Sequence, residues 1–243
     1  LVFASGHVWP VSNSWLRNLV KPFEEPSIGM IYGRQRGTGA NSLSEMRDLY
    51  VNYGPTSKIL VDEPDGNNGN AAIRRDLWLH QPFDESLPGL EDIDWARKIQ
   101  QQGYRIYYAA DAAVYHIHEE TLKQVHRRYL REAIAYKRMF PGHRFSRTEL
   151  VKGLSFAILR DLLYAFRHRQ LRRLLRVPGT RLAEYLGTYQ GNRWHVKQGR
   201  KAVGRLETPE VSESVVVDGP GHHSLTEAAV PEVGPGEALV RVA

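Results

Sequence analysis

Residues 83–118, FDESLPGLEDIDWARKIQQQGYRIYYAADAAVYHIH, decide how the rest of the chain is read. Leu90, Ile93, Ala96 and Ile99 recur at helical spacing and Gly103 stands just past the last turn, so a helix is expected over residues 90–102. Its first turn carries Glu91, Asp92 and Asp94. Carboxylates there oppose the helix dipole, an ordinary stabilising role; they are also groups that can serve as a general base. Residues 104–108 and 112–115 read as strands, and because strand side chains alternate, His116 and His118 leave on one side. Two imidazoles on a common face can ligate a metal, although a lone histidine is more often structural than a ligand.

The 243 residues around this stretch can bury a substantial core, as one large domain or two small ones. A hydrophobic fraction of 42% and a charged fraction of 25% argue against disorder throughout. The absence of cysteine excludes disulfides and thiolate metal sites, and no apolar run approaches the ~18 residues that span a bilayer. The net charge of +6 is unevenly spread: basic residues crowd between Lys123 and Arg205, and the end of the chain is mildly acidic. Such a half suits an anionic partner, whether a phosphate ligand, a lipid surface or nucleic acid. No nucleic-acid recognition motif accompanies the charge, so no nucleic acid is expected. Both ends, LVF and ALVRVA, read as cuts through strands of a longer polypeptide.

Upstream, residues 1–4 read as the end of a buried strand running into Ser5-Gly6-His7, which places His7 at the carboxyl end of a sheet, where open α/β folds bind ligands. Residues 12–23 present Trp15, Leu16, Leu19 and Val20 at helical spacing, closed by Pro22. A short strand at 28–32 leads to Gly33-Arg34-Gln35 at the same edge. Residues 37–65 are polar and turn-rich, with a weak helical patch at 42–53, as lids and binding loops are. Gly66-Asn67-Asn68-Gly69-Asn70 permits unusual backbone angles, for close approach to a ligand or for a tight connection into a strand at 71–73. Beyond His118 come a basic helix over 119–140, broken by Pro141-Gly142, and a second basic amphipathic stretch over 148–176. Its apolar side is Leu150, Leu154, Ile158, Leu162, Ala165 and Phe166, and its arginines suit a solvated face or anionic headgroups. Residues 178–205 look less regular, and the tail from Glu207 alternates short strands with Gly/Pro turns.

Four blocks together go further: LVFASGHVWPVSNSWLRNLVKPF (1–23), IGMIYGRQ (28–35), NNGNAAIRRDLW (67–78) and PFDESLPGLEDIDWARKIQQQGYRIYYAADAAVYHIHEET (82–121). In this order, with RLAEYLGTYQGNRW (181–194) after them, the chain resembles glycosyltransferase family 2, the inverting nucleotide-sugar enzymes of GT-A fold. The resemblance implies an α/β architecture: a partial GT-A (Rossmann-like) catalytic domain over 1–140 whose nucleotide-binding portion would precede Leu1, a helical extension of basic amphipathic helices over 141–206, and a linker with a truncated β-rich tail over 207–243. It implies Asp92 as general base with Glu91 beside it, Asp92 being ionised near neutral pH. Ser5-Gly6-His7 falls where the family places a DxD element, so His7 stands for the second, metal-binding aspartate, Ser5 departs from the first, and His116 completes the metal and diphosphate site. The expected cofactor is a divalent metal, Mg or Mn. Arg34, Gln35, Asn68, Asn70, Gly89, Asp94 and Trp95 are expected to shape the donor and acceptor pockets.

The implied partners are a nucleotide-sugar donor and a glycan or lipid-linked acceptor, in cell-surface polysaccharide synthesis. The implied place is cytoplasmic, with peripheral contact to anionic membrane at the inner face. The final segment, VVVDGPGHHSLTEAAVPEVGPGEALVRVA, resembles the opening strands of a medium-chain alcohol-dehydrogenase-like domain. It implies an alternative parent that fuses the transferase to a zinc/NAD(P) dehydrogenase. A non-catalytic membrane-associating fragment is the other alternative.

Overall fold

The computed structural model describes residues 1–194 and three short strand segments, 215–217, 223–225 and 240–242. Its frame is a mixed sheet built from β1 (Val2–Ala4), β2 (Val8–Pro10), β3 (Ile28–Arg36), β4 (Lys58–Leu60), β5 (Asn70–Ile73) and β6 (Arg105–His116). The order is β2-β6-β3-β5-β1, with β4 on the outer edge of β6. β3 and β6 are parallel, and β5 runs antiparallel to both β3 and β1, so β1, β3 and β6 point the same way. This is the α/β, GT-A-like architecture that the sequence implies. Of the tail, β7 (Val215–Val217) and β8 (His223–Leu225) pair antiparallel, and β9 (Val240–Val242) lies parallel to β1. The dehydrogenase-like domain that the tail suggests lies outside the described residues.

Both faces of the sheet are covered, which explains the apolar strands. Met30, Tyr32, Ala71, Ile73, Ile106 and Tyr108 pack on one side against Trp95, Ala96 and Ile99 of α4 (Glu91–Gln101). The alternating partners Ile31, Ala72 and Ala109 pack on the other against Leu19 and Trp15 of α1 (Trp15–Val20). In α1 the expected face narrows to Trp15 and Leu19, since Leu16 and Val20 remain exposed. Gln35 and its neighbours belong to β3 rather than following it, because they continue to pair with β6. The two expected strands around Asp111 are one: the apparent break is an irregularity where Gly33 to Gln35 faces Ala109 to Val114.

Four helices lie beside this core: α2 (Leu43–Asn52), α5 (Leu122–Met139), α6 (Arg147–Arg167) and α7 (Val177–Asn192). A short helix, α3 (Arg75–His80), follows β5. α5 and α6 each begin with a reciprocal cap, Thr121 with Gln124 and Ser146 with Glu149, which satisfies amide donors at the helix start. Residues 195–205 lie outside the described residues; from residue 178 as far as Asn192, α7 corrects the expectation of less regular structure. Its glycines lower helix propensity, but they are there for approach: a Cβ on Gly187 would lie 2.5 Å from the His126 carbonyl oxygen, and one on Gly191 2.4 Å from that of Leu130, both on α5. Pro178 occupies the first turn, where its missing N–H costs nothing.

α6 also departs from the expected face. It buries the small row Ala157, Asp161 and Ala165, leaving Val151, Phe156, Leu162, Leu163 and Phe166 exposed. Asp161 is fully buried and accepts hydrogen bonds from Ser44 Oγ at 2.6 Å and Arg181 Nε at 2.8 Å. Arg181 also binds Asp48 and Glu184. α2, α6 and α7 are thus tied together across the boundary drawn at residue 140. Among the described residues no helix is long and apolar enough to cross a membrane.

Candidate active site

Three strands end at one edge of the sheet, and each delivers a residue there. β1 runs into Ser5-Gly6-His7, β3 carries Gln35 next to its last residue, and β6 ends on His116. The rings of His7, His116 and His118 form a cluster, with centroids 4.7 Å (His7–His116), 4.8 Å (His7–His118) and 4.2 Å (His116–His118) apart. One ring nitrogen from each lies within 4.8 Å of the others. His116 Nδ1 is 2.5 Å from Gln35 Oε1, and His118 Nδ1 is 2.6 Å from Glu45 Oε1. Amide and carboxylate oxygens accept here, so both rings donate from Nδ1, and a neutral ring so held offers Nε2 as a lone pair. His116 Nε2 is buried with no hydrogen-bond partner. Burial, and then His118 and His7, push His116 down to about 3, while burial and His118 lower His7, so both rings are neutral at pH 7.

The carboxylate side begins with strain. Leu90, the residue that caps α4, has φ +58°, a left-handed conformation that costs a non-glycine residue about 1 kcal/mol or more. Such positions gather at functional sites. Asp92 follows, with Oδ2 accepting the Asn68 backbone N–H at 3.0 Å and Oδ1 the Ile93 N–H at 2.8 Å. Glu91 Oε1 accepts from Asn68 Nδ2 at 3.1 Å. Burial, and then the Glu91 charge, push Asp92 up to about 7 against those hydrogen bonds. The expected full ionisation at neutral pH is therefore corrected to roughly half, the condition in which a general base is most effective.

Residues 66–70 join the two sides. Asn68 touches Asp92 and Glu91, while a Cβ on the next residue, Gly69, would stand 3.4 Å from Gln35 Nε2 and 3.6 Å from His116 Cε1. The Gly69 carbonyl accepts from Ser5 N at 3.1 Å. Neither glycine of this loop uses a left-handed backbone; the chain passes close to its neighbours at both, a Cβ on Gly66 lying 2.6 Å from Met30 Cε and one on Gly69 2.8 Å from Asn67 Oδ1.

The family model described as "Glycosyltransferase like family 2" matches residues 11–135. The chain belongs to this family. It is also similar to the O-antigen chain rhamnosyltransferase RfbN of Salmonella typhimurium (strain LT2), 27% identical over 203 residues, covering 74% of this chain and 60% of that protein. The chain thus spans about 60% of the length of the curated relative it matches.

In this family-2 chain, the residues expected to carry chemistry fall into two groups. His7, His116, Gln35, Asn68, Glu91 and Asp92 meet around the 66–70 loop; Gln35 holds the His116 ring, and Asn68 Oδ1 is buried without a partner among the described residues. The others are engaged elsewhere. Trp95 is 1% exposed in the core, with its indole donating to Gln81 O. Asp94 is buried in ion pairs with Arg97 and Lys98 of its own helix. Asn70 spends its amide on Ala112 O, Arg34 O and Trp15 Nε1. Arg34 donates to Tyr53 O, and Gly89 lies toward Glu132 of α5. His118 and Glu45 complete the cluster without having been assigned to the site. His118 carried a signal in its alternation with His116; Glu45 was hidden in Ser42-x-x-Glu45, which reads as a capping box, and Ser42 does cap α2. Three imidazoles, one with a buried unpartnered nitrogen, fit a divalent metal.

Proposed function

We propose that this chain carries the acceptor and leaving-group side of an inverting glycosyltransferase, one that moves a sugar from a nucleotide-sugar to a glycan or lipid-linked acceptor in surface polysaccharide synthesis. The observation that carries the reading is the 66–70 loop, where Asn68 binds Asp92, a carboxylate whose pKa is raised to about 7, and the adjacent Gly69 lies beside His116, whose ring burial keeps neutral. Family membership and the likeness to an O-antigen chain rhamnosyltransferase support it. Asp92 takes the proton of the acceptor hydroxyl as that oxygen bonds to the anomeric carbon and the bond to the diphosphate breaks. His7 and His116 would hold a divalent metal, whose chemistry is to offset negative charge on the departing diphosphate. Asn68 orients Asp92 and Glu91 from the loop. In the parent polypeptide, Asp92→Asn should lower transfer by about 10²–10⁴-fold with donor affinity unchanged. Turnover close to wild type would remove Asp92 from the role of base.

Peripheral attachment to an anionic membrane, on the cytoplasmic side, belongs to the same proposal. It is favoured by the exposed α6 row of Val151, Phe156, Leu163 and Phe166, flanked by Lys152 and Arg167, an arrangement that lies well in a headgroup layer.

A further inference from the structure

The histidine cluster has a composition that bears on which metal it can take. All three donors are imidazole nitrogens within 4.8 Å of one another, and among the described residues no carboxylate belongs to the ligand group, Glu45 standing behind His118. Two of the rings are already set for ligation. Gln35 Oε1 faces Nδ1 of His116 and Glu45 Oε1 faces Nδ1 of His118, so Nε2 is the ligating atom in each. Carboxylate or amide partners behind a metal-bound histidine fix its tautomer and orientation in this way. The Asn41 side chain donates to the His116 carbonyl at 2.8 Å, which pins the end of β6. The Nε2 of His116, buried and unpartnered, requires a donor or a cation.

Magnesium binds hard oxygen donors in octahedral geometry and keeps several waters, whereas imidazole suits zinc, iron, nickel and copper. Three protein ligands with a remaining open position is the pattern of catalytic rather than structural centres. Resting on the transferase reading for what the open position faces, we propose that His7, His116 and His118 form a three-imidazole centre, with Glu45 fixing His118, that takes a divalent transition ion in preference to magnesium. Such an ion would keep a position open for an oxygen ligand.

The test is direct metal binding by the metal-free, untagged full chain, with no sugar donor present. Titrated cobalt(II) should develop visible ligand-field absorption, equimolar zinc should abolish it, and magnesium in about hundredfold excess should not. His118→Gln should weaken cobalt binding at least about tenfold and change the spectrum, and Glu45→Gln should weaken it about 10- to 100-fold. His7→Asp, which adds a carboxylate, should bring magnesium into competition. Circular dichroism and thermal unfolding without metal show that each variant is folded. Displacement of cobalt by equimolar magnesium, or wild-type cobalt binding in folded His118→Gln, would overturn the proposal. Either result leaves the Asp92→Asn transfer experiment untouched, so failure of the metal assignment and failure of the transferase reading are told apart.

Discussion

Asp92 combines two opposing demands. Its place at the start of a helix and its two backbone hydrogen bonds favour the carboxylate, while burial and Glu91 favour the acid and prevail, to about pKa 7. The unfolded value is near 3.9. A raised folded pKa means that the stabilisation is complete below about pH 4 and is lost as the pH climbs through 7. Asp92→Asn should therefore gain stability over the wild type between pH 4 and pH 8, by at most on the order of 4 kcal/mol, measured by urea unfolding at both ends. Activity runs the other way: kcat/KM should rise to a plateau above pH 7. Its place in the first turn of a helix was legible from the spacing of Leu90, Ile93, Ala96 and Ile99. Its pKa was not, because that depends on Asn68 and on packing that no local pattern encodes. Asn70 and Trp95 mislead for a related reason: residue types that suit a binding pocket also suit an interior, and only tertiary contacts separate the two. Asn70 reaches Ala112 of β6 across β3 because Gly33 leaves the space, a Cβ there lying 2.3 Å from Asn70 Nδ2.

At the scale of elements, periodicity located α1, α2, α4, α5 and α6, and it failed at α7. A proline and three glycines argue against a helix in isolation; contact with α5 overrides that tendency, since small residues let two backbones approach. Gly191→Val should accordingly destabilise the protein by about 1–3 kcal/mol through overpacking, read as a lowered midpoint of chemical denaturation. α6 shows the converse failure. Of the apolar side read as Leu150, Leu154, Ile158, Leu162, Ala165 and Phe166, Ala165 turns inward with Ala157 and Asp161 and Ile158 packs beside it, while Leu162 is exposed and Phe166 is 75% exposed. If this row meets lipid, vesicles containing phosphatidylserine should retain the chain in a salt-sensitive manner. Phe166→Glu with Leu163→Glu should abolish that retention while leaving thermal unfolding unchanged. Equal retention of the double variant would remove α6 from the contact.

For the molecule as a whole, the decisive long-range arrangement is electrostatic. Arg181 of α7 meets Asp161 of α6, Asp48 of α2 and Glu184 on its own helix, almost wholly out of water. Burial pushes Glu184 up to about 7 despite its partner, so the surplus of carboxylates over guanidinium groups is relieved there. Removing the cation would strand buried charge: Arg181→Met should cost about 3–5 kcal/mol, measured by equilibrium unfolding. Nothing in helical spacing announces the pairing of Arg181 with Asp48, 133 positions away. α2 makes the link consequential, because Glu45 reaches His118 while Asp48, one turn on, reaches Arg181. The portable unit of this site is therefore longer than its motifs. A piece ending at Phe140 would keep His7, Asp92, His116 and His118 but release α2 from its anchor, and transplantation or circular permutation should respect a boundary after Asn192.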